Sequence, residues 1–140
     1  MSNLHGSILV VEDDPHDAFF LKRALHKVRQ DLPLQFVTDG EQALNYLNGQ
    51  LQYSDRGAYP LPVTIFLDLK LPYFSGFQIL EHIKGKPDLA SISVFVLTSS
   101  PEERDRQRAL ELGAKAYLVK PATPEMLRNV LGFQLAAPHS

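Results

Sequence analysis

Val63-Thr64-Ile65-Phe66-Leu67-Asp68-Leu69-Lys70-Leu71-Pro72 is a short apolar run that ends on a carboxylate and then a proline. It is too short for a helix and rich in β-favouring residues, so it reads as a strand buried on both faces. Three more runs have the same form. Ile8-Leu9-Val10-Val11 closes on Glu12-Asp13-Asp14, Ile92–Leu97 on Thr98-Ser99-Ser100, and Ala116-Tyr117-Leu118-Val119 on Lys120-Pro121. If the four runs are parallel strands, their carboxyl ends share one rim of a sheet, where open α/β folds place their sites. Three carboxylates, a hydroxyl and an ammonium then converge, an inventory that suits a divalent metal and a phosphoryl group.

Helical patterns separate the runs. Asp14 is a candidate cap with Pro15 in the first turn, and Ala18, Leu21, Leu25 and Val28 recur at helical spacing to about Arg29. Gln35–Thr38 reads as another strand, followed by a helix from Asp39-Gly40 that carries Ala43, Leu44 and Leu47. Asn48–Pro62 reads as a long loop, rich in turn-forming residues. Ser75-Gly76 leads into a helix with Phe77, Leu80 and Ile83 on one face, and Pro101 opens a charged helix, Glu102–Leu112, closed by Gly113. Pro124 opens a last helix to about Leu135. Five strand–helix units imply a parallel sheet with right-handed crossovers and helices on both faces.

Bulk properties narrow the classes. The chain has 140 residues, 44% of them hydrophobic, enough for one domain with its own core. With 14 Lys and Arg against 16 Asp and Glu, the formal charge is −2, so no global basic field attracts nucleic acid. The absence of cysteine excludes disulfides, thiolate zinc sites and a thiol nucleophile. The polar start and short first apolar run give no signal peptide or membrane span, and the expected location is cytoplasmic.

Taken together, Ile8–Asp14, Leu67–Pro72, Gly76, Leu97-Thr98-Ser99, Gly113-Ala114 and Lys120-Pro121 resemble a response-regulator receiver domain over nearly the whole chain. The resemblance implies the flavodoxin-like, CheY-like fold, a doubly wound parallel sheet of order 2-1-3-4-5. It implies a single receiver domain over 1–140, with its core at about 7–136 and no output domain. It implies that Asp68 accepts a phosphoryl group from a sensor histidine kinase, and that the protein is a signalling phosphoacceptor rather than a turnover enzyme. Mg²⁺ would be held by Asp13, Asp68 and the Lys70 backbone carbonyl, with Glu12 acting mainly through metal-bound water. Lys120 and Thr98 would bind the phosphoryl oxygens, and Lys120-Pro121 would be cis. Thr98 and Tyr117 would then form a switch acting on the fourth helix, fifth strand and fifth helix, and so on a downstream protein.

The long loop and Ser99-Ser100 resemble, more narrowly, the stand-alone receivers that partner phytochrome-type histidine kinases. The charged stretch Glu102–Arg108, together with Leu127, Val130, Leu131 and Phe133, favours a homodimer. Two rival classes fit less well. A Mg²⁺-dependent phosphatase needs a second acid two residues after its nucleophile, where this chain has Lys70. A flavin-nucleotide binder needs a neutral Gly/Ser/Thr phosphate loop where this chain has Glu12-Asp13-Asp14. Asp14 and Asp17 read as a solvated helix start, outside the metal set.

Overall fold

The computed structural model describes residues 6–136. The five strands are β1 (Ile8–Val11), β2 (Leu34–Val37), β3 (Thr64–Leu67), β4 (Ser93–Thr98) and β5 (Ala116–Val119). They alternate with the helices α1 (Pro15–Val28), α2 (Gly40–Asn48), α3 (Gly76–Lys84), α4 (Glu103–Glu111) and α5 (Pro124–Ala136). Every strand pair is parallel, and the sheet order is β2-β1-β3-β4-β5, as the resemblance implies.

The apolar runs explain the layering. In the central strands alternate residues point to opposite faces, and both sets are apolar. Leu9, Val11, Ile65, Leu67, Val94 and Val96 meet α2, α3 and α4 through Ala43, Leu47, Ile79, Leu80 and Ala109. Ile8, Val10, Phe66, Phe95 and Leu97 meet α1 and α5 through Leu21, Leu25, Leu127 and Leu131. Leu127 and Leu131 are therefore committed to the core, and Val130 packs partly against it. The apolar face of α5 lends no support to the expected homodimer, and the Phe133 side chain lies outside the described residues.

Asp14 caps α1 as anticipated, and Asp39 and Ser75 prove to cap α2 and α3. Asp14 accepts from the backbone N–H of His16 (2.8 Å) and Asp17 (3.3 Å), and Asp39 from that of Gln42 (2.7 Å). Ser75 and Gln78 form a reciprocal capping box. α4 begins one residue later than expected, with Glu102 as its cap residue. Among the described residues, no helix is long and apolar enough to cross a membrane.

The segment expected as a long loop carries local structure and is anchored by the buried Tyr53. α2 runs through Asn48, and a 3₁₀ turn covers Leu51–Tyr53. The Tyr46, Tyr53 and Tyr59 rings pack together at centroid distances of 5.0, 5.1 and 6.0 Å. At their centre Arg56 donates to the carbonyls of Tyr46 (2.8 Å), Leu47 (2.9 Å) and Tyr59 (3.0 Å). The first two belong to the last turn of α2, where carbonyls lack helical partners, so Arg56 acts as a side-chain cap. Gly49 continues the chain at φ 65°, and a Cβ there would stand 3.0 Å from the guanidinium. Arg56→Met keeps the alkyl stem but loses all three bonds, and should cost about 2 kcal/mol. A lower urea midpoint at unchanged m-value would register the loss.

Candidate functional site

The strand hydrogen-bond ladder runs one residue past the strands, and those extra residues are the chemical ones. Glu12 N–H donates to the Val37 carbonyl (3.0 Å), Asp68 N–H to Val11 (3.1 Å), and Lys120 N–H to Thr98 (2.8 Å). Backbone bonds thus fix Glu12, Asp68 and Lys120 on one rim. The turn after Asp68 is held by Gly76, whose N–H donates to the Leu69 carbonyl at 2.9 Å. A Cβ at Gly76 would stand 2.5 Å from the Asp68 carbonyl oxygen and 2.8 Å from Leu69 Cα. Only glycine permits that approach.

Lys120 is the centre of the rim. Its Nζ lies 2.7 Å from Glu12 Oε1, 2.8 Å from Asp17 Oδ2 and 3.0 Å from Asp68 Oδ2. The Glu12, Asp68 and Lys120 side chains are only 5%, 8% and 14% exposed. Burial alone would push the Lys120 ammonium down, but hydrogen bonds to Asp17, Glu12 and Asp68 outweigh it and hold the pKa above the ordinary lysine value. Burial raises the Glu12 carboxyl above its usual range, against the bonds it accepts from Lys120 and the Asp14 N–H, while the neighbouring Asp68 charge raises it further.

Glu12, Asp13 and Asp68 each present an oxygen within 4.8 Å of the others. An all-carboxylate oxygen set suits a hard divalent cation such as Mg²⁺. Asp68 Oδ1 also accepts the Lys70 N–H (3.3 Å), while the Lys70 side chain is exposed. Thr98 is fully buried at the end of β4, and its Oγ1 has no hydrogen-bond partner, a cost that a ligand oxygen would relieve. The half-buried Tyr117 donates its hydroxyl to the Ser100 carbonyl at 2.8 Å. The Lys120-Pro121 bond is cis.

Residues 8–132 match the response regulator receiver domain family. The chain belongs to that family. It is 38% identical to the response regulator Rcp1 of Synechocystis sp. over 119 residues, covering 85% of this chain and 79% of Rcp1. It is 34% identical over 124 residues to a probable methanogenesis regulatory protein, FilR2, of Methanothrix harundinacea, covering 89% of this chain and 77% of that one. Among solved structures, the phosphorylated cyanobacterial phytochrome response regulator RcpA superposes with a TM-score of 0.81 at 31% identity, covering 94% of this chain and 95% of RcpA. The Mn²⁺-bound form of Rcp1 superposes with a TM-score of 0.79 at 33% identity, covering 96% of each chain. The protein is thus a response-regulator receiver homologous to phytochrome response regulators, in a family whose partners are sensor histidine kinases.

Asp17 is the site residue that the sequence reading missed. Its place among the acidic residues of a helix start suggests solvation alone, yet its carboxylate is bonded to Lys120, 103 positions away. A signal was present: Asp17 lies in the first turn of α1, and helical side chains lean toward the helix N-terminus, here the rim itself.

If the carboxylate set binds Mg²⁺, the cation should stabilise the fold by about 1.4 kcal/mol at ten times its Kd. Asp13→Asn should remove most of that gain. Urea unfolding with and without Mg²⁺ measures both.

Proposed function

We propose that this receiver accepts a phosphoryl group on Asp68 from a phosphohistidine of a sensor histidine kinase, and that the modification switches its protein contacts. One observation carries the reading: Asp68, buried on the rim, is bonded to the Lys120 ammonium while also sharing a metal-sized cluster with Glu12 and Asp13. A carboxylate so placed is bonded to one cation and would share a second with Glu12 and Asp13.

The chemistry is a displacement at phosphorus. An Asp68 carboxylate oxygen forms a bond to phosphorus as the bond to the histidine ring nitrogen breaks. That nitrogen keeps the electron pair and is reprotonated from solvent, leaving an acyl phosphate on Asp68. Asp13, Asp68 and the Lys70 carbonyl, with Glu12 through bound water, would hold Mg²⁺, whose charge would offset repulsion between the carboxylates and the phosphoryl oxygens. Lys120 donates to those oxygens as a positioned cation, and Thr98 donates its otherwise unpartnered hydroxyl. The phosphorylated RcpA and the Mn²⁺-bound Rcp1 support the phosphoryl and metal parts of this chemistry. Intact mass after incubation with acetyl phosphate and Mg²⁺ should show one added phosphoryl group that Asp68→Asn lacks. No adduct in that assay, together with no binding of beryllofluoride, would overturn the reading.

The output follows from what touches Ser100. Its carbonyl accepts from Tyr117, its hydroxyl donates to Asp105 (2.8 Å), and the same oxygen accepts from Glu102 N–H (3.3 Å). Drawing Thr98 toward a phosphoryl group moves the segment after β4, and Tyr117 follows by turning inward. The α4–β5–α5 face then changes its partners, by a few kcal/mol at most. We assign the partner to the phytochrome-type kinases on the strength of the relatives, and the setting to the cytoplasm. Tyr117→Ala should leave Asp68 phosphorylation intact while abolishing phosphorylation-dependent association with the kinase or a downstream protein. Association measured by calorimetry that is unchanged in this variant would remove Tyr117 from the switch.

A further inference from the structure

An ammonium has three N–H groups. In Lys120 they face three carboxylate oxygens, those of Glu12, Asp17 and Asp68. On the reading above, a phosphoryl group on Asp68 takes at least one of these N–H groups, so one carboxylate has to give way.

The three carboxylates are not equal. Glu12 is almost fully buried, and its second oxygen already accepts the Asp14 N–H at 3.1 Å. Its Oε1 faces the ammonium at 2.7 Å, and at 5% exposure bulk water is poorly placed to take over that bond. Asp68 carries the phosphoryl group itself. Asp17 alone is more than a third exposed, at 38%, and it stands outside the Glu12–Asp13–Asp68 cluster. Together with Lys120 it lines a cleft of about 300 Å³ that is bounded by Phe20, Ser99 and Pro121. Water can therefore take over its hydrogen bonds as it lets go, and the cleft gives its side chain room to turn.

We propose that Asp17 is the exchangeable partner of Lys120: it holds the ammonium toward α1 while Asp68 is unmodified and yields it when a phosphoryl group arrives. Asp17 is then a positioning residue that sets the affinity for phosphoryl anions without touching them. Two effects share one sign. The Asp17–Lys120 contact opposes the incoming group because it must break, and the Asp17 charge repels the anion. Asp17→Asn keeps the shape, removes the charge and reduces the contact to at most a neutral-acceptor hydrogen bond. Because the ion pair is partly solvated, the gain should be about two- to fivefold in affinity.

The inference rests on the phosphoryl-acceptor reading, and one calorimetric experiment separates the two. Beryllofluoride, a phosphoryl mimic, is titrated into the full chain with Mg²⁺ present, using the parent protein, Asp17→Asn, Asp17→Glu and Asp14→Asn. Asp17→Glu keeps the charge. Asp14→Asn neutralises a nearby carboxylate that caps α1 through His16 and Asp17 N–H groups and is not bonded to Lys120. The expected result is about two- to fivefold tighter binding by Asp17→Asn alone, with the other two close to the parent. Parent binding with equal or weaker binding by Asp17→Asn overturns the inference and leaves the acceptor reading standing. An equal gain in Asp14→Asn also overturns it, because a general field effect would then suffice. No binding by the parent overturns the acceptor reading and this inference with it.

Discussion

One buried ammonium holds this site together. Glu12 and Asp68 are nearly removed from water, and two carboxylates that close would repel each other strongly in a low-dielectric setting. Lys120 makes the arrangement tolerable by bonding to both, and its own burial is made tolerable by them and by Asp17. Glu12, Asp68 and Lys120 thus hold one another in place. The site is therefore a set of mutual dependences in which a change at one residue alters the electrostatics of the others.

The sheet supplies the precision. Because the ladder continues past the ends of β1, β3 and β5, the site residues inherit the rigidity of core strands rather than of loops. Gly76 brings α3 against the backbone of Asp68, so the residue proposed as nucleophile is braced from behind. The other side is built differently. Beyond Thr98 the chain is held through Ser100, by a tyrosine hydroxyl and by an aspartate of α4. A fixed rim and a side that rests on a few replaceable hydrogen bonds are the two ingredients of a switch that moves one face only.

Most of this architecture was legible in residue order. Apolar runs ending on Glu12, Asp68, Thr98 and Lys120 announce parallel strands, because only strands covered on both faces lack polar alternation. The cap at Asp14 was readable because an acidic residue before Pro15 suits a helix start. Three features were not. Arg56 capping α2 and the tyrosine cluster depend on a loop folding back, which no periodicity encodes. Leu127 and Leu131 could have faced either a partner or the sheet, and only the packing of α5 decides. Asp17 belongs to the site through a contact across 103 positions: its first-turn place puts it near the rim, but only the fold brings Lys120 within reach of it.

That separation along the chain bears on how the protein is made. During vectorial synthesis β1 and β3 can emerge and begin to pair long before β5, since Lys120 lies 52 positions beyond Asp68 and Asp17 lies 103 positions before it. Until Lys120 leaves the ribosome, the carboxylates of Glu12 and Asp68 have no ammonium to receive them. The arrangement around Lys120 can form only when the fifth unit docks, so the completed site waits for nearly the whole chain.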